Sequence, residues 1–427
     1  MSRSLRVHPD YIQKVKLAVK RNGYPRQKDL AEELEFSLAT VGNFLNGKRV
    51  DYNYFTEICR VLGLDWKEVV VFEEDSSKSQ STKEAIAVEP EVIIPCPEEE
   101  TFIYVERPPI ETSCYETLKN PGALIRIKAP SLTGKTSLIV KTLNKITQQG
   151  YRTVYLNLHL ANQADFNNLD QFLKWFCISV GQSLGLKNKL IDYWDEEFST
   201  SKVDCTDYFE KYLLVHVENN LVLALDEVDR IFPCTEVATE FFGLLRAWHE
   251  QAKIRKIWKK LRLMIAHSTE VYIQMDINSS PFSVGLPIEL PDFTSLQVQK
   301  LAQLHELDLT EVEVEQLMDL VGGHPYLVEQ AFSNLKTYPN TPLEKLLQMA
   351  LTESGIYRNH LLHLGRLIQK KPQLFEAFKE VVMTTNQTRL QPIQAYKLHS
   401  MGLVNLQGNY VTPRCNLYKQ YFSECLF

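Results

Sequence analysis

No two of the eight cysteines (Cys59, Cys96, Cys114, Cys177, Cys205, Cys234, Cys415 and Cys425) stand at the CxxC spacing. Scattered in this way, they argue against a zinc site or a disulfide framework, and the expected state is idle, reduced thiols. No uninterrupted apolar run approaches the ~18 residues that a membrane helix needs. The beginning, Met1-Ser2-Arg3-Ser4-Leu5-Arg6, leads into a charged amphipathic stretch and not into an apolar signal sequence. A soluble, cytoplasmic protein with no membrane partner is therefore expected. Strong charge of one sign is missing as well. The net charge is -6 over 427 residues, which does not suit a chain coated in nucleic acid, although an average hides a local patch. No solenoid-type repeat is found. What is present is apolar material, 44% of the chain. That is enough for more than one core, because single cores stop growing near roughly 250–300 residues.

The sequence divides into blocks. Residues 1–72 are expected to be a small all-α domain. Through Val50 they carry ten Lys/Arg against five Asp/Glu, so this end is basic while the whole is acidic. Residues 73–100 are polar and Ser-rich at first, then hold Pro90, Pro95 and Pro97 before Glu98-Glu99-Glu100. With little to bury, such a stretch cannot offset its ordering entropy and reads as a flexible linker. From 101 to 291, short branched apolar runs (124–127, 154–156, 221–225, 261–265) alternate with helical-period segments such as Gln171–Leu184 and Ala238–Ala252. Alternation of that kind implies a mostly parallel α/β sheet covered on both faces. Residues 292–358 read as helices only (Leu296–Leu304, Glu311–Leu320, Tyr326–Leu335). Residues 359–427 read as helices followed by a hairpin around Gln407-Gly408-Asn409, the order of a winged helix.

Chemistry concentrates at Ala129-Pro130-Ser131-Leu132-Thr133-Gly134-Lys135-Thr136-Ser137. A strand, Leu124–Lys128, precedes it and a helical run, Ser137–Gln148, follows. In that context main-chain amides and a helix N-terminus point at phosphate. Gly134 allows close approach, Lys135 supplies charge to the outer phosphates, and Thr136 offers its hydroxyl to magnesium. The pattern G-x-x-x-x-G-K-[ST] is met at three of its four specified positions. Ala129 replaces the first glycine, which limits positive φ there and is expected to reshape the loop entrance. Downstream, Leu221-Val222-Leu223-Ala224-Leu225-Asp226-Glu227 is an apolar strand ending in two acids. Asp226 is expected to hold magnesium and Glu227 to polarise the attacking water. Paired acids resist joint ionisation unless a cation is near. After the strand 261–265, Ser268 or Thr269 is the candidate sensor of the terminal phosphate, with simple turn capping as the other reading. His267 is expected to be packed. Gly322-Gly323 before Pro325 reads as a helix stop followed by a helix start.

Together these residues resemble the AAA-like P-loop ATPases related to STAND signalling ATPases and to the origin-recognition branch of AAA+ proteins. The resemblance rests on Ala129–Ser137, on Leu225-Asp226-Glu227-Val228-Asp229-Arg230, on Gly322-Gly323-His324-Pro325 and on the terminal stretch from Leu403. It covers about Phe102 to the C-terminus and implies a P-loop core, a helical lid and a C-terminal winged helix. It also implies that Gly323, His324 and Pro325 lie near the base of the nucleotide, with Arg107 beside them. Arg230 and Arg246 are both open as arginine fingers, and neither is assigned.

The first block resembles the lambda-repressor-like (XRE) helix-turn-helix group. The resemblance rests on Lys28-Asp29-Leu30-Ala31-Glu32-Glu33-Leu34, Ser37 and Val41-Gly42-Asn43-Phe44-Leu45-Asn46-Gly47. Helices are expected at Tyr11–Arg21, Gln27–Leu34, Leu38–Leu45 and Phe55–Leu62, with Ser37 capping the third. If this block binds DNA, Ser37, Ala39, Thr40 and Asn43 enter the major groove, and Lys28, Lys48 and Arg49 meet phosphates. The absence of Arg or Gln on the outward face of that helix leaves a protein-contact domain open as well. In the last block, Lys397, His399, Arg414 and Lys419 could face DNA, or the block could pack on the ATPase. Three functions follow from the sequence: a regulatory switch ATPase using ATP and magnesium, a DNA-binding regulator with a structural nucleotide, and an oligomeric motor acting on DNA or protein. A protein partner or self-assembly stays open.

Overall fold

A computed structural model of the chain describes residues 4–8, 11–22, 24, 27–34, 36–62, 64, 69, 103–195, 198–268, 281–352, 354–384 and 387–425. The expected linker, 73–100, and Thr269 lie outside these residues. The chain forms two units, 1–88 and 89–427.

In the first unit, β1 (Ser4–Leu5) pairs antiparallel with β2 (Val50–Asp51). Among the described residues, the helices that accompany the pair are α1 (Ile12–Arg21), α2 (Gln27–Glu33), α3 (Leu38–Leu45) and α4 (Tyr52–Val61). Each helix puts an apolar stripe inward at three- and four-residue spacing. Val15 and Val19, then Val41, Phe44 and Leu45, then Phe55, Ile58 and Cys59 share one small core. Phe44 meets Phe55 edge to face at 5.0 Å. Ser37 caps α3, its Oγ accepting from Thr40 N at 3.1 Å, a contact worth about 1 kcal/mol.

The second unit is built on five parallel strands: β3 (Leu124–Lys128), β4 (Arg152–Asn157), β5 (Leu221–Asp226), β6 (Leu261–His267) and β7 (Leu286–Glu289). Their order in the sheet is β4-β5-β6-β3-β7. Alternation sends successive side chains to opposite faces. Leu221, Leu223 and Leu225 face one core, Val222 and Ala224 the other. All six residues of β5 are buried, as a sheet covered on both sides requires. Helices α5 (Ile110–Lys119) and α6 (Lys135–Thr147) cover one face, contributing Leu118, Leu138, Ile139 and Leu143. Helices α7 (Leu169–Ser183), α8 (Ser201–Tyr208) and α9 (Thr235–Ile254) cover the other with an aromatic cluster in which Phe209 lies 4.4 Å from Trp248.

The acid-tipped β5 is separated from the loop-bearing β3 by β6, which pairs with both. The short β7 was not expected, since Pro287 interrupts its four residues; proline is tolerated there because β7 is an edge strand.

The rest of this unit is helical until its end. It comprises α10 (Ser295–Leu304), α11 (Glu311–Val321), α12 (Pro325–Thr337), α13 (Leu343–Met349), α14 (Arg358–Gln369), α15 (Pro372–Met383) and α16 (Pro392–Ser400). The hairpin β8 (Val404–Gln407) and β9 (Tyr410–Pro413) and helix α17 (Asn416–Cys425) close it. Capping boxes start α10 (Thr294, Gln297) and α11 (Thr310, Glu313). Residues from α10 to α17 share one core, from Val298 to Phe422, so these helices and the hairpin form one packed body. Among the described residues no helix is long and apolar enough to cross a membrane.

Candidate functional site

The sheet's C-terminal edge gathers the residues that the sequence singled out. The chain leaves β3, turns through 129–134 and enters α6 at Lys135. The turn takes positive φ at Leu132 (63°) and Gly134 (94°) but not at Ala129. The alanine at the first loop position therefore carries no backbone strain, and the strained residue is Leu132. Gly134 is required for a second reason. A Cβ built there would lie 2.7 Å from Arg107 Nη2, so only glycine lets that guanidinium close on the loop.

Lys135 is buried, 5% exposed. Its ammonium donates to Ala129 O, Pro130 O and Ser268 Oγ, each at 3.1 Å. Thr136 Oγ1 donates to Asp226 Oδ2 at 2.6 Å. The fully buried Asp226 also accepts from Tyr155 OH at 3.0 Å and from Glu227 N at 2.9 Å. Burial, with the neighbouring Asp226 charge, pushes the Tyr155 phenol up to about 12. Glu227 takes a left-handed conformation, φ 54°. Its carboxylate stands 3.9 Å from His159 Nε2. Ser268 sits at the end of β6, between the loop and the acid tip. Its Oγ is 3.3 Å from Ser131 Oγ, and its N–H donates to Asp229 Oδ2 at 2.8 Å. Burial raises the Asp229 carboxyl to about 7, with Lys135 opposing and Glu227 reinforcing the shift. His267 is packed 4.8 Å from the Phe282 ring, and burial drops it to about 4.

A cavity of about 370 Å³ runs from this edge to the helical body. Gly134, Lys135, Thr136, Ser137 and Glu227 line one end; Ile103, Tyr104, Phe293, Pro325 and Tyr326 line the other. Arg107 joins the two ends. It is 3% exposed, donates to Thr133 O at 2.9 Å and Pro291 O at 3.1 Å, and lies 5.1 Å from the Phe293 ring. Burial lowers its pKa. Of the three residues expected near a base, only Pro325 lines the cavity. Gly323 stands behind the wall, its carbonyl accepting from Phe293 N at 2.8 Å. His324 is 1% exposed and turned toward His360 (5.9 Å between rings) and Tyr418 (6.4 Å).

The candidate DNA residues of the helix-turn-helix lie in the first unit, while Lys397, His399, Arg414 and Lys419 lie in the second, where Arg414 is buried and paired with Asp292. Lys28 is on α2; Ala39, Thr40 and Asn43 are on α3, with Ser37 at its N-cap; Lys48 and Arg49 follow α3. Lys28, Ser37, Lys48 and Arg49 are exposed, while Thr40 and Asn43 are half-buried. The Ser37 and Thr40 hydroxyls are 2.8 Å apart and spend themselves on each other.

Sequence reasoning missed Tyr155, Asp229, Phe293, Tyr104 and Tyr326. The register of β4 on β5, which sets Asn157 against Asp226, brings Tyr155 in. No local motif announces that pairing.

Residues 95–424 match the AAA-like domain family, and the chain belongs to it. Among solved structures it is similar to the Walker-type ATPase PABY2304 of Pyrococcus abyssi, with 13% identity and TM-score 0.54, covering 74% of this chain and 95% of that one. It also matches the ORC2 protein of Aeropyrum pernix, solved as ADPNP-ADP complexes, at 15% identity and TM-score 0.44, covering 78% and 96%. A third match is the STAND protein with a tetratricopeptide repeat sensor, PH0952, from Pyrococcus horikoshii, at 14% identity and TM-score 0.34, covering 76% of this chain and 43% of that one. No curated protein matches the chain in sequence.

Proposed function

We propose that the chain binds ATP with magnesium and hydrolyses it, as a switch whose nucleotide state sets how the helical body lies on the sheet. The observation that carries this reading is the direct bond between Asp226 and Thr136, 2.6 Å, where Thr136 lines a cavity that the helical body also walls. Two hard oxygen donors that close together suit a small divalent ion. Magnesium, when bound, neutralises phosphate charge at that point. The amides of 129–134 cradle the phosphates, Lys135 exchanges its carbonyl partners for phosphate oxygens, and Ser268 stands where a terminal phosphate is sensed. Glu227 takes its proton from the attacking water once it swings from His159. Tyr104, Phe293 and Tyr326 offer faces to the base. Because α10 to α17 share one core, the body moves as a whole, and ATP favours whichever arrangement it binds better.

The hairpin and its helices are read as a winged helix, and α2 and α3 as a helix-turn-helix that binds DNA with α3 in the major groove. The ten Lys/Arg against five Asp/Glu of residues 1–50 support DNA over a protein partner, and the Ser37–Thr40 bond leaves Asn43 as the main base reader. The tests are separable. ATP turnover and binding should be measured on the full chain with and without duplex DNA. A wild-type protein that binds no nucleotide sinks the ATPase reading. DNA affinity unaffected by Lys48→Glu with Arg49→Glu, or independent of salt, sinks the DNA reading alone.

A further inference from the structure

The geometry points to Asp229 as a positioning residue for nucleotide hydrolysis, acting through Ser268. The inference rests on the nucleotide reading above and adds a residue to it. In the sheet order, β6 lies between the strand that bears the phosphate loop and the strand that bears the acids. Ser268, the residue that follows β6, is therefore the point where both halves of the site meet. The Ser268 side chain is held by Lys135 Nζ at 3.1 Å and neighbours Ser131 Oγ at 3.3 Å. Its main chain is held from the opposite side, by Asp229 Oδ2 on its N–H at 2.8 Å. Asp229 follows the turn at Glu227, whose left-handed conformation reverses the chain and aims 228–231 back over β6. One carboxylate thus ties the acid-bearing turn to the tip of the middle strand.

The chemistry fits a main-chain acceptor better than an ion-pair partner. Asp229 Oδ1 is buried with no hydrogen-bond partner among the described residues. Burial raises the carboxyl to about 7, although Lys135 opposes this. A group that spends part of its time neutral near pH 7 serves here through its hydrogen bond to Ser268, which a carbonyl oxygen can also make. When a terminal phosphate draws Lys135 off the Ser268 hydroxyl, the Asp229 bond is what keeps Ser268 in place. A nucleoside diphosphate lacks the group that Ser268 would touch, so its binding should not need Asp229.

The test compares Asp229→Ala, Asp229→Asn, Ser268→Ala and the double variant Asp229→Ala with Ser268→Ala in the full chain. Steady-state ATP turnover and ADP affinity are measured for each, with melting temperature as a folding check. The expected result is a loss of about tenfold in kcat for Asp229→Ala and for Ser268→Ala, with ADP affinity within twofold of wild type. The double variant should be no worse than the poorer single one, because the two residues act in series. Asp229→Asn should restore most of kcat. The inference is overturned if the two losses multiply, if ADP affinity falls as far as turnover, or if Asp229→Asn is as poor as Asp229→Ala. Should Asp229→Ala fail to fold, Asp229→Asn against Ser268→Ala still decides: near-wild-type turnover in the first and a tenfold loss in the second support it, and equal losses overturn it. Failure of the nucleotide reading has its own signature, since wild type then binds no ATP at all.

Discussion

The two ends of the cavity are built in opposite ways. At the sheet end polar groups are bonded to one another, Lys135 to two carbonyls and Ser268, Thr136 and Tyr155 to Asp226, Ser268 to Asp229, and Asp229 Oδ1 is the buried exception among the described residues. At the helical end the wall is aromatic and apolar apart from Glu329, with Tyr104, Phe293 and Tyr326 drawn from segments almost 190 and more than 220 residues apart in the chain. A preorganised polar end gives charge stabilisation with little reorganisation, while an apolar end gives contact area and little direction. The difference teaches where each property of the site should reside. Losses at the sheet end should abolish binding or chemistry, and losses at the far end should cost affinity only.

The sharpest way to break that comparison is Lys135→Ala. It removes the ammonium bonded to the phosphate-loop carbonyls, and binding of ATP and ADP should fall by more than 100-fold, about 3 kcal/mol. Isothermal calorimetry on the two proteins measures this. Tight residual binding would mean that the aromatic end dominates and the comparison is inverted. Next comes Glu227→Gln, which keeps size and removes the base. Turnover should drop by about 100-fold with nucleotide affinity unchanged, as read from single-turnover kinetics and equilibrium binding. Equal hydrolysis by the variant would take Glu227 out of the chemistry. At the other end, Phe293→Ala removes the ring beneath Arg107. It should raise the ATP dissociation constant about tenfold, ~1.4 kcal/mol, with kcat at saturation preserved. A fall in kcat instead would show that the two ends are not separable.

The same contrast explains what could be read in advance. The sheet end was legible because each of its groups sits within a few residues of a strand end: Lys135 and Thr136 after β3, Asp226 and Glu227 at β5, Ser268 after β6. Strand periodicity and a phosphate loop are local signals. The limits of β5 and of α3 followed from an unbroken apolar run closed by acids and from the Ser37 cap. Long-range facts were not legible. Nothing in the residues said that β6 would lie between β3 and β5, and so the links from Asp229 to Ser268 and from Tyr155 to Asp226 could not be foreseen. His324 was expected near the base together with Gly323 and Pro325, yet the turn at Gly322-Gly323 points it into the helical core beside His360 and Tyr418. A short Gly-Gly-His-Pro string fixes where a helix stops, not which way the next side chain faces.

One contact lies between the two ends and is the mildest test of the contrast. Gly402 ends the turn after α16 with φ 73°. A Cβ there would meet Pro130 Cβ at 3.0 Å and Arg414 Nη1 at 2.8 Å. Pro130 belongs to the phosphate loop, and Arg414 is paired with Asp292, so the helical body rests on the back of the loop at a point with room for no side chain. Gly402→Ala should therefore do two things. It should destabilise the protein by about 1–2 kcal/mol through the left-handed backbone and the crowding, seen as a melting temperature a few degrees lower. It should also weaken ATP binding by a few-fold, because the added Cβ presses on Pro130 of the loop. Thermal melting separates the two when it is run with and without nucleotide. If ATP raises the melting temperature of the variant as much as that of wild type, the loop does not feel the helical body at this point. The two halves of the site would then be coupled only through the ligand they share.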